Sequence, residues 1–100
     1  MKPTTAIDID TLPGTAFQRD VWRAMTQIPA GETRTYKQLA RMAGHPTAIR
    51  AVANAVGANP MPPIIPCHRV VRSDGKIGGY SAPGGINRKR ELLAAEGLLF

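Results

Sequence analysis

One short segment of the sequence carries the residue types best suited to covalent chemistry. Cys67 is the only cysteine of the chain, and it is followed directly by His68, one of two histidines, and by Arg69. A cysteine attacks as its thiolate, and neighbouring cationic groups lower the pKa of a thiol. The segment is therefore a candidate nucleophilic site, in which we expect His68 and Arg69 to favour the thiolate.

Residue type alone also allows Cys67 a packing role or a metal-binding role. A lone free cysteine is more often a small buried hydrophobic residue than a nucleophile. A structural zinc site needs four ligands, and one cysteine with two histidines, of which His45 lies far away in the sequence, falls short of that number. Adjacent side chains on an extended segment point to opposite faces. We therefore expect no metal site, and we expect His68 to reach Cys67 through a water molecule or across a bend.

The sequence around Cys67 predicts a rigidly held segment. The apolar pairs Ile64-Ile65 and Val70-Val71 flank it like the residues of short strands, and the prolines in residues 58–63 fix the path of the preceding loop. The Asp74-Gly75 pair is typical of a tight turn. We therefore expect Val70-Val71 and Ile77 to pair as a short β-hairpin after Cys67.

Length and composition indicate one small domain with a polyanionic partner. The chain has 100 residues, 43% of them hydrophobic, which is enough for a compact core. The excess of Lys and Arg over Asp and Glu gives a formal net charge of +6. This charge favours nucleic acid as a partner, although a solvated basic surface has the same composition. We expect a flexible arm over residues 1–14 and a single domain over residues 15–100.

The sequence also argues against several classes of protein. It has no apolar run of membrane-spanning length and no signal-peptide core, and a single cysteine suits a reducing cytosol. We therefore expect a cytoplasmic protein with no membrane partner. Residues 78–85 are rich in glycine but lack the Lys-Ser/Thr ending of a phosphate-binding loop, which argues against nucleotide hydrolysis.

Apolar residues spaced three or four positions apart predict four helices. The second and third are separated by a short turn that contains Gly44, which matches a helix-turn-helix. The third helix is rich in alanine and has one arginine, Arg50, which either reaches a partner or faces solvent. The predicted helices are one that follows Thr15, one over residues 36–43 capped by Thr35, one over residues 48–57 capped by Thr47, and one over residues 88–96 capped by Asn87.

The motif Pro66-Cys67-His68-Arg69-Val70, preceded by Asn59-Pro60 and followed by Gly79-Tyr80-Ser81, resembles the O6-alkylguanine-DNA alkyltransferases, or methylated-DNA–protein-cysteine methyltransferases. The resemblance extends from about residue 17 to residue 97. It implies a mainly α fold: a small helical domain with a winged helix-turn-helix-like DNA-binding core and a short β-hairpin. Members of the family usually carry a second, N-terminal domain, in whose place this chain has about fourteen residues. The loop over residues 80–85 is also slightly longer than the common form.

The resemblance implies catalytic roles for five residues. Cys67 would accept the alkyl group, His68 would take the thiol proton through a water molecule, and Glu96 would orient His68. Asn59 would brace the loop behind the cysteine, and Tyr36 would donate a proton to the departing guanine. No cofactor is implied. The thioether product would be permanent, so each protein molecule would carry out one repair.

The resemblance also implies how the chain would bind its substrate. The protein would act as a monomer, and its partner would be double-stranded DNA containing O6-alkylguanine. It would bind the minor groove, with the damaged base flipped into a pocket of the protein. Arg50 would fill the space that the flipped base leaves. The other expected DNA contacts are Tyr36, Thr47, Ala48, Ala51 and Asn54, and the expected pocket residues are Val56, Val70, Tyr80 and Ser81.

Two functions within this resemblance stay open. The leading one is direct, single-turnover transfer of the alkyl group from guanine to Cys67. The alternative is an alkyltransferase-like protein, which also lacks the N-terminal domain and flags the lesion for another repair pathway without transfer. That class replaces the acceptor cysteine, whereas this chain keeps it. A helix-turn-helix regulator is disfavoured, because the alanine-rich third helix lacks the set of side chains that reads major-groove edges.

Overall fold

The computed structural model of the protein describes residues 8–100, and their fold is mainly helical. The helices are α1 (Ala16–Met25), α2 (Tyr36–Met42), α3 (Ile49–Gly57) and α4 (Gly85–Ala95), the strands are β1 (Arg34–Thr35) and β2 (Val70–Val71), and short 3-10 helices span Ile9–Thr11 and Cys67–Arg69. Among the described residues, no helix has both the length and the apolar character needed to cross a membrane. The prediction of a small, mainly α domain is confirmed.

Helices α1 and α2 begin where the sequence predicts, because their N-caps are local. The Thr15 hydroxyl accepts from the Gln18 backbone N–H at 3.0 Å, and the Gln18 side chain accepts from the Thr15 N–H at 2.9 Å. Thr35 and Gln38 form the same reciprocal pair at the start of α2. Each pair satisfies two backbone donors that the first turn of a helix leaves unbonded, so a threonine and a glutamine three positions apart define each start.

Helices α3 and α4 begin without the predicted caps. α3 follows Ala48, which makes no side-chain cap bond, and the backbone turn that ends at Ala48 leaves Thr47 outside the helix. α4 follows Gly84, whose φ of 95° is left-handed, and Asn87 therefore lies inside the first turn. A Cβ at Gly84 would lie 2.6 Å from the Cβ of Arg88, so the chain needs a glycine to enter α4. The predicted caps Thr47 and Asn87 are wrong.

The two short strands form a parallel pair and replace the predicted hairpin. β2 pairs with β1, with Val70 opposite Arg34. The tight turn does form, since the Arg72 N–H donates to the Lys76 carbonyl at 3.1 Å, but Arg72 and Lys76 are exposed whereas both valines of β2 are buried. Burial of β2 among the helices brings it to β1 rather than to Ile77, so the expected β-hairpin is wrong.

The hydrophobic core lies mainly between α1, α2 and α3. Trp22 is 1% exposed, and its Nε1–H donates to the Ala55 carbonyl at 2.9 Å, which ties α1 to α3. Ile9 is also buried, so the expected flexible arm is wrong for the 3-10 helix Ile9–Thr11; residues 1–7 of that arm lie outside the described residues. The other buried hydrophobic residues are Val21, Ala24, Met25, Ile28, Leu39, Ala40, Val52, Ala55, Val56, Ile65, Cys67, Val70, Val71 and Leu93.

Candidate active site

Cys67 lies in the wall of an open pocket with a volume of about 310 Å³. It begins the 3-10 helix Cys67–Arg69 directly after buried Pro66, so the chain turns at the cysteine instead of continuing as an extended segment. Cys67 is 7% exposed. The fold therefore brings the thiol together with side chains from α2, α3 and the glycine-rich loop, here residues 78–84. The other lining residues are Tyr36, Ala53, Val56, Gly57, Gly79, Tyr80 and Ser81.

Burial has the largest effect on the thiol. It raises the pKa of Cys67, while polar neighbours and the positive charge of Lys89 lower that pKa by smaller amounts. The expectation that His68 and Arg69 favour the thiolate is therefore wrong. The guanidinium of Arg69 is bound by Glu96, and burial lowers the pKa of His68, which favours its neutral form. Cys67 is accordingly a thiol at neutral pH, and its attack on carbon requires a base.

Asn59 ties together the loop that leads to Cys67. Its side-chain Nδ2 donates to the Ile65 carbonyl at 2.7 Å, and its Oδ1 accepts from the Met61 N–H at 2.9 Å. The Asn59 side chain also lowers the pKa of the thiol. One residue thus fixes the approach of the backbone to Cys67 and adds polarity beside the sulfur.

Glu96 joins His68 and Arg69 through one carboxylate. Its Oε2 accepts from His68 Nε2 at 2.9 Å and from Arg69 Nη2 at 2.7 Å, and its Oε1 accepts from Arg69 Nε at 3.0 Å. Arg69 is held further by the Ile28 carbonyl, which accepts from Nη1 at 2.8 Å. The hydrogen bonds from Arg69, more than any other contact, lower the pKa of Glu96 to about 2. The carboxylate is therefore ionised at neutral pH and accepts hydrogen bonds only.

This carboxylate decides which nitrogen of His68 is basic. Because Glu96 accepts at Nε2, the proton of the neutral imidazole lies on Nε2, and the lone pair lies on Nδ1. Nδ1 is buried and has no hydrogen-bond partner among the residues that the structure describes. His68 thus presents an unpaired basic nitrogen next to the cysteine in sequence, as a base requires.

Two tyrosines place hydroxyl groups at the pocket. Tyr36 is the first residue of α2, and burial, followed by the charge of Cys67, raises its pKa. The same two causes, in the same order, raise the pKa of Tyr80. Both tyrosines are therefore protonated donors at neutral pH. Ser81 Oγ donates to the Gly57 carbonyl at 2.8 Å and so holds the glycine-rich loop against α3.

Lys89 is the residue of the site that sequence reasoning missed. It is 0% exposed, and its Nζ donates to the carbonyls of Val70 at 2.7 Å and Gly79 at 3.1 Å. Val70, expected to line the pocket, is itself fully buried and lies outside the pocket lining. The only sequence signal for Lys89 is its spacing of four residues from buried Leu93, which places both on one helix face.

Helix α3 presents a small exposed face beside the pocket. The buried residues of α3 are Val52, Ala55 and Val56. Val56 and Gly57 also line the pocket. The expected DNA-contacting residues of this region thus lie on or just before the helix that forms one pocket wall. Of these residues, Thr47, Arg50, Ala51 and Asn54 are exposed, and Ala48 is half-buried.

The family described as 6-O-methylguanine DNA methyltransferase, DNA binding domain, matches residues 16–98. The chain belongs to this family. Among relatives of the methyltransferase family, the regulatory protein Ada of Salmonella typhimurium is 55% identical over 85 residues, which are 85% of this chain and 24% of Ada. A methylated-DNA–protein-cysteine methyltransferase of Mycobacterium bovis is 52% identical over 93 residues, which are 92% of this chain and 55% of that protein. The chain spans about half or less of the length of these relatives.

Two solved structures share the fold described above. Mycobacterium tuberculosis OGT in complex with DNA superposes with a TM-score of 0.81 at 53% identity, covering 86% of this chain and 51% of OGT. S. pombe Atl1, in complex with damaged DNA containing O6-carboxymethylguanine, superposes with a TM-score of 0.74 at 31% identity, covering 87% of this chain and 81% of Atl1. The likeness therefore extends across most of the described chain.

Proposed function

We propose that this chain repairs DNA by moving the alkyl group of an O6-alkylguanine onto Cys67, once per protein molecule. The observation that carries the proposal is the arrangement around the pocket. A buried thiol in its wall is followed by a neutral histidine whose Nδ1 is unpaired among the described residues and whose Nε2 is held by an ionised carboxylate. Relatives named methylated-DNA–protein-cysteine methyltransferase support the same chemistry.

The reaction follows from the protonation states of these groups. His68 Nδ1 takes the thiol proton of Cys67 through a water molecule, and Glu96 stabilises the imidazolium that forms. The thiolate attacks the alkyl carbon in line with the bond to the guanine O6, so a carbon–sulfur bond forms as the carbon–oxygen bond breaks. Tyr36, which stays protonated in its buried setting, donates a proton to the departing guanine and recovers it from solvent.

The substrate base enters the pocket after it has left the base stack of the DNA duplex. A pocket of about 310 Å³ is open to solvent beside the exposed face of α3, and chemistry on a paired base requires that the base be flipped out. We propose that α3 lies in the minor groove of the duplex with Arg50 in the gap left by the base, and that one monomer acts alone. Mycobacterium tuberculosis OGT in complex with DNA supports DNA as the partner of this fold.

A transfer assay with labelled DNA tests this proposal. A duplex carrying O6-methylguanine with a tritiated methyl group is incubated with excess protein, and label is counted on the protein. We expect about one methyl group per lesion on the wild type, none on Cys67→Ala, and damaged-DNA binding by both proteins. Loss of binding together with transfer in Cys67→Ala would show that Cys67 is structural.

The second candidate function is recognition of the lesion without transfer. It is favoured by the likeness to Atl1, 81% of whose chain is covered and which was solved with damaged DNA. The same assay separates the two functions, because tight binding of the labelled duplex by the wild type with no label on protein would establish recognition alone.

A further inference from the structure

A groove with a volume of about 370 Å³ adjoins the candidate active site. Tyr36 lines both this groove and the pocket that contains Cys67. The groove therefore adjoins the pocket on one side and, on another, the N-terminal end of α3, where the proposed DNA contacts begin. Its other lining residues are Ile49, which is the first residue of α3, and Arg72, Ser73 and Asp74 of the tight turn after β2.

The parallel pairing of β1 with β2 brings this turn to the groove. Thr35 lies opposite Val71, so Tyr36 and Arg72 follow directly from neighbouring ends of the two strands. The turn is closed by the Arg72 N–H, which donates to the Lys76 carbonyl, and residues 72–76 are all exposed. The fold thus holds the polar side chains of the turn at the surface beside Tyr36.

Arg72 and Asp74 form an ion pair in the groove. Arg72 Nη2 donates to Asp74 Oδ2 at 2.7 Å, while Asp74 Oδ1 accepts from the Lys76 N–H at 3.1 Å. The side chains of Arg72 and Asp74 are 54% and 42% exposed. An exposed pair of this kind contributes little to stability, so Arg72 can leave Asp74 at small cost when another anion competes for its guanidinium. Phosphates of DNA are such anions, because they are densely spaced and arginine binds them as it binds a carboxylate.

A duplex whose damaged base enters the pocket brings its backbone to the rim of that pocket. The flipped nucleotide stays joined to both neighbours through its phosphates, and the groove lies at the rim on the side of Tyr36. The hydroxyl of Ser73 and the guanidinium of Arg72 are donors of the kind that bind DNA phosphates. Asp74 has the opposite effect, because its carboxylate repels a phosphate and holds the guanidinium that would bind it.

We infer that this groove binds a phosphate of the DNA backbone, next to the flipped nucleotide when a lesion is present, and that Asp74 competes with that phosphate for Arg72. The inference rests on the proposed function in taking duplex DNA as the partner. Asp74 thereby limits the affinity of the protein for the DNA backbone, which every undamaged site of a genome also offers.

The first test measures binding to an undamaged duplex and does not depend on alkyl transfer. Fluorescence anisotropy at a series of salt concentrations gives the dissociation constants of the wild type, Arg72→Met, Asp74→Ser and the double variant. Serine removes the charge, while its hydroxyl can still accept from the Lys76 N–H. The matched control is Glu91→Gln, which removes the carboxylate of another exposed pair, 3.6 Å from Arg88 on α4.

We expect Arg72→Met to weaken binding about fivefold and to make the plot of log K against log salt shallower by about one. Asp74→Ser should strengthen binding about fivefold, with a smaller gain in the Arg72→Met background, where no guanidinium is released. Glu91→Gln should stay within about twofold of the wild type. Weaker binding by Asp74→Ser, or an equal gain in both backgrounds, would overturn the inference. Failure of the wild type to transfer a methyl group would count against the proposed function alone, because these affinities would remain measurable.

A second test locates the phosphate. Duplexes with O6-methylguanine carry one neutral methylphosphonate in place of a phosphate, at successive positions around the lesion, and are bound by Cys67→Ser proteins so that no transfer occurs. We expect one position beside the lesion to weaken binding about fivefold when Arg72 is present and less than about twofold in Arg72→Met. A loss that is the same with and without Arg72 at every position would overturn the inference.

Discussion

The change Glu96→Gln removes a charge that Arg69 and His68 share. Three hydrogen bonds from Arg69 and one from His68 end on this carboxylate, and the Gly31 N–H lies 3.4 Å from Oε1. A glutamine amide has one acceptor oxygen and a donor NH₂ group. Whichever way it turns, the NH₂ group of the amide faces a donor of Arg69 or His68, so at least one of these bonds becomes a repulsion.

The magnitude follows from the pKa of Glu96. A pKa lowered from 4.5 to about 2 corresponds to about 3 kcal/mol of unfolding free energy when the carboxylate is ionised. The side chain of Glu96 is 15% exposed and that of Arg69 18% exposed, so solvent screening reduces this value only modestly. Because the folded-state pKa is depressed, the stabilisation is present above pH 4.5 and is lost as the pH falls towards 2.

The assay is urea unfolding of the wild type and Glu96→Gln between pH 3 and pH 7. We expect the variant to be less stable by about 3 kcal/mol at pH 7, and the difference to shrink below pH 4.5 as the wild type takes up a proton. The matched control is Glu91→Gln, whose carboxylate is 68% exposed and 3.6 Å from Arg88. It should change stability by less than about 0.5 kcal/mol.

The same variant changes the chemistry of His68. Glu96 raises the pKa of His68 against the larger effect of burial, so glutamine should leave a weaker base and slow single-turnover transfer, though less than Cys67→Ala does. A stability difference that stays constant from pH 3 to pH 7 would refute the account of Glu96 as an ionised partner. An unchanged transfer rate across the pH range would remove it from the proton relay.

Two further predictions concern α3. Arg50→Ala should slow transfer at saturating duplex far more than reaction with free O6-alkylguanine base, because only the duplex requires flipping, which costs a few kcal/mol; equal rates of variant and wild type on saturating duplex would leave Arg50 as an ordinary phosphate contact. Trp22→Phe should lower the unfolding free energy by about 2 to 3 kcal/mol, because it leaves the buried Ala55 carbonyl without its indole donor and opens a cavity. Urea unfolding measures this loss, and a change below about 1 kcal/mol would contradict the role given to the Trp22 hydrogen bond.

Local sequence determined the parts of this protein that depend on neighbouring residues. The starts of α1 and α2 follow from threonine and glutamine three positions apart, and the helical class follows from apolar spacing. The candidate nucleophile was also evident, because Cys67 is the one cysteine and stands beside a histidine and an arginine. These features need no knowledge of what lies across the fold.

Tertiary structure decided what depends on residues that are distant in sequence. β2 pairs with β1 instead of with Ile77 because its valines are buried among the helices, a partner choice that no short-range turn signal contains. The starts of α3 and α4 depend on backbone turns, where a left-handed glycine at position 84 replaces a side-chain cap.

The electrostatics of the site were decided in the same way. Arg69 lies two residues after Cys67, and its charge was expected to lower the pKa of the thiol. In the folded protein its guanidinium instead binds the carboxylate of Glu96, 27 residues further along the chain. The cation that does act on the thiol is Lys89, from a helix whose sequence gives little sign that a lysine is buried. A charge acts through space and through the dielectric around it, so its effect on Cys67 is settled only when the chain has folded.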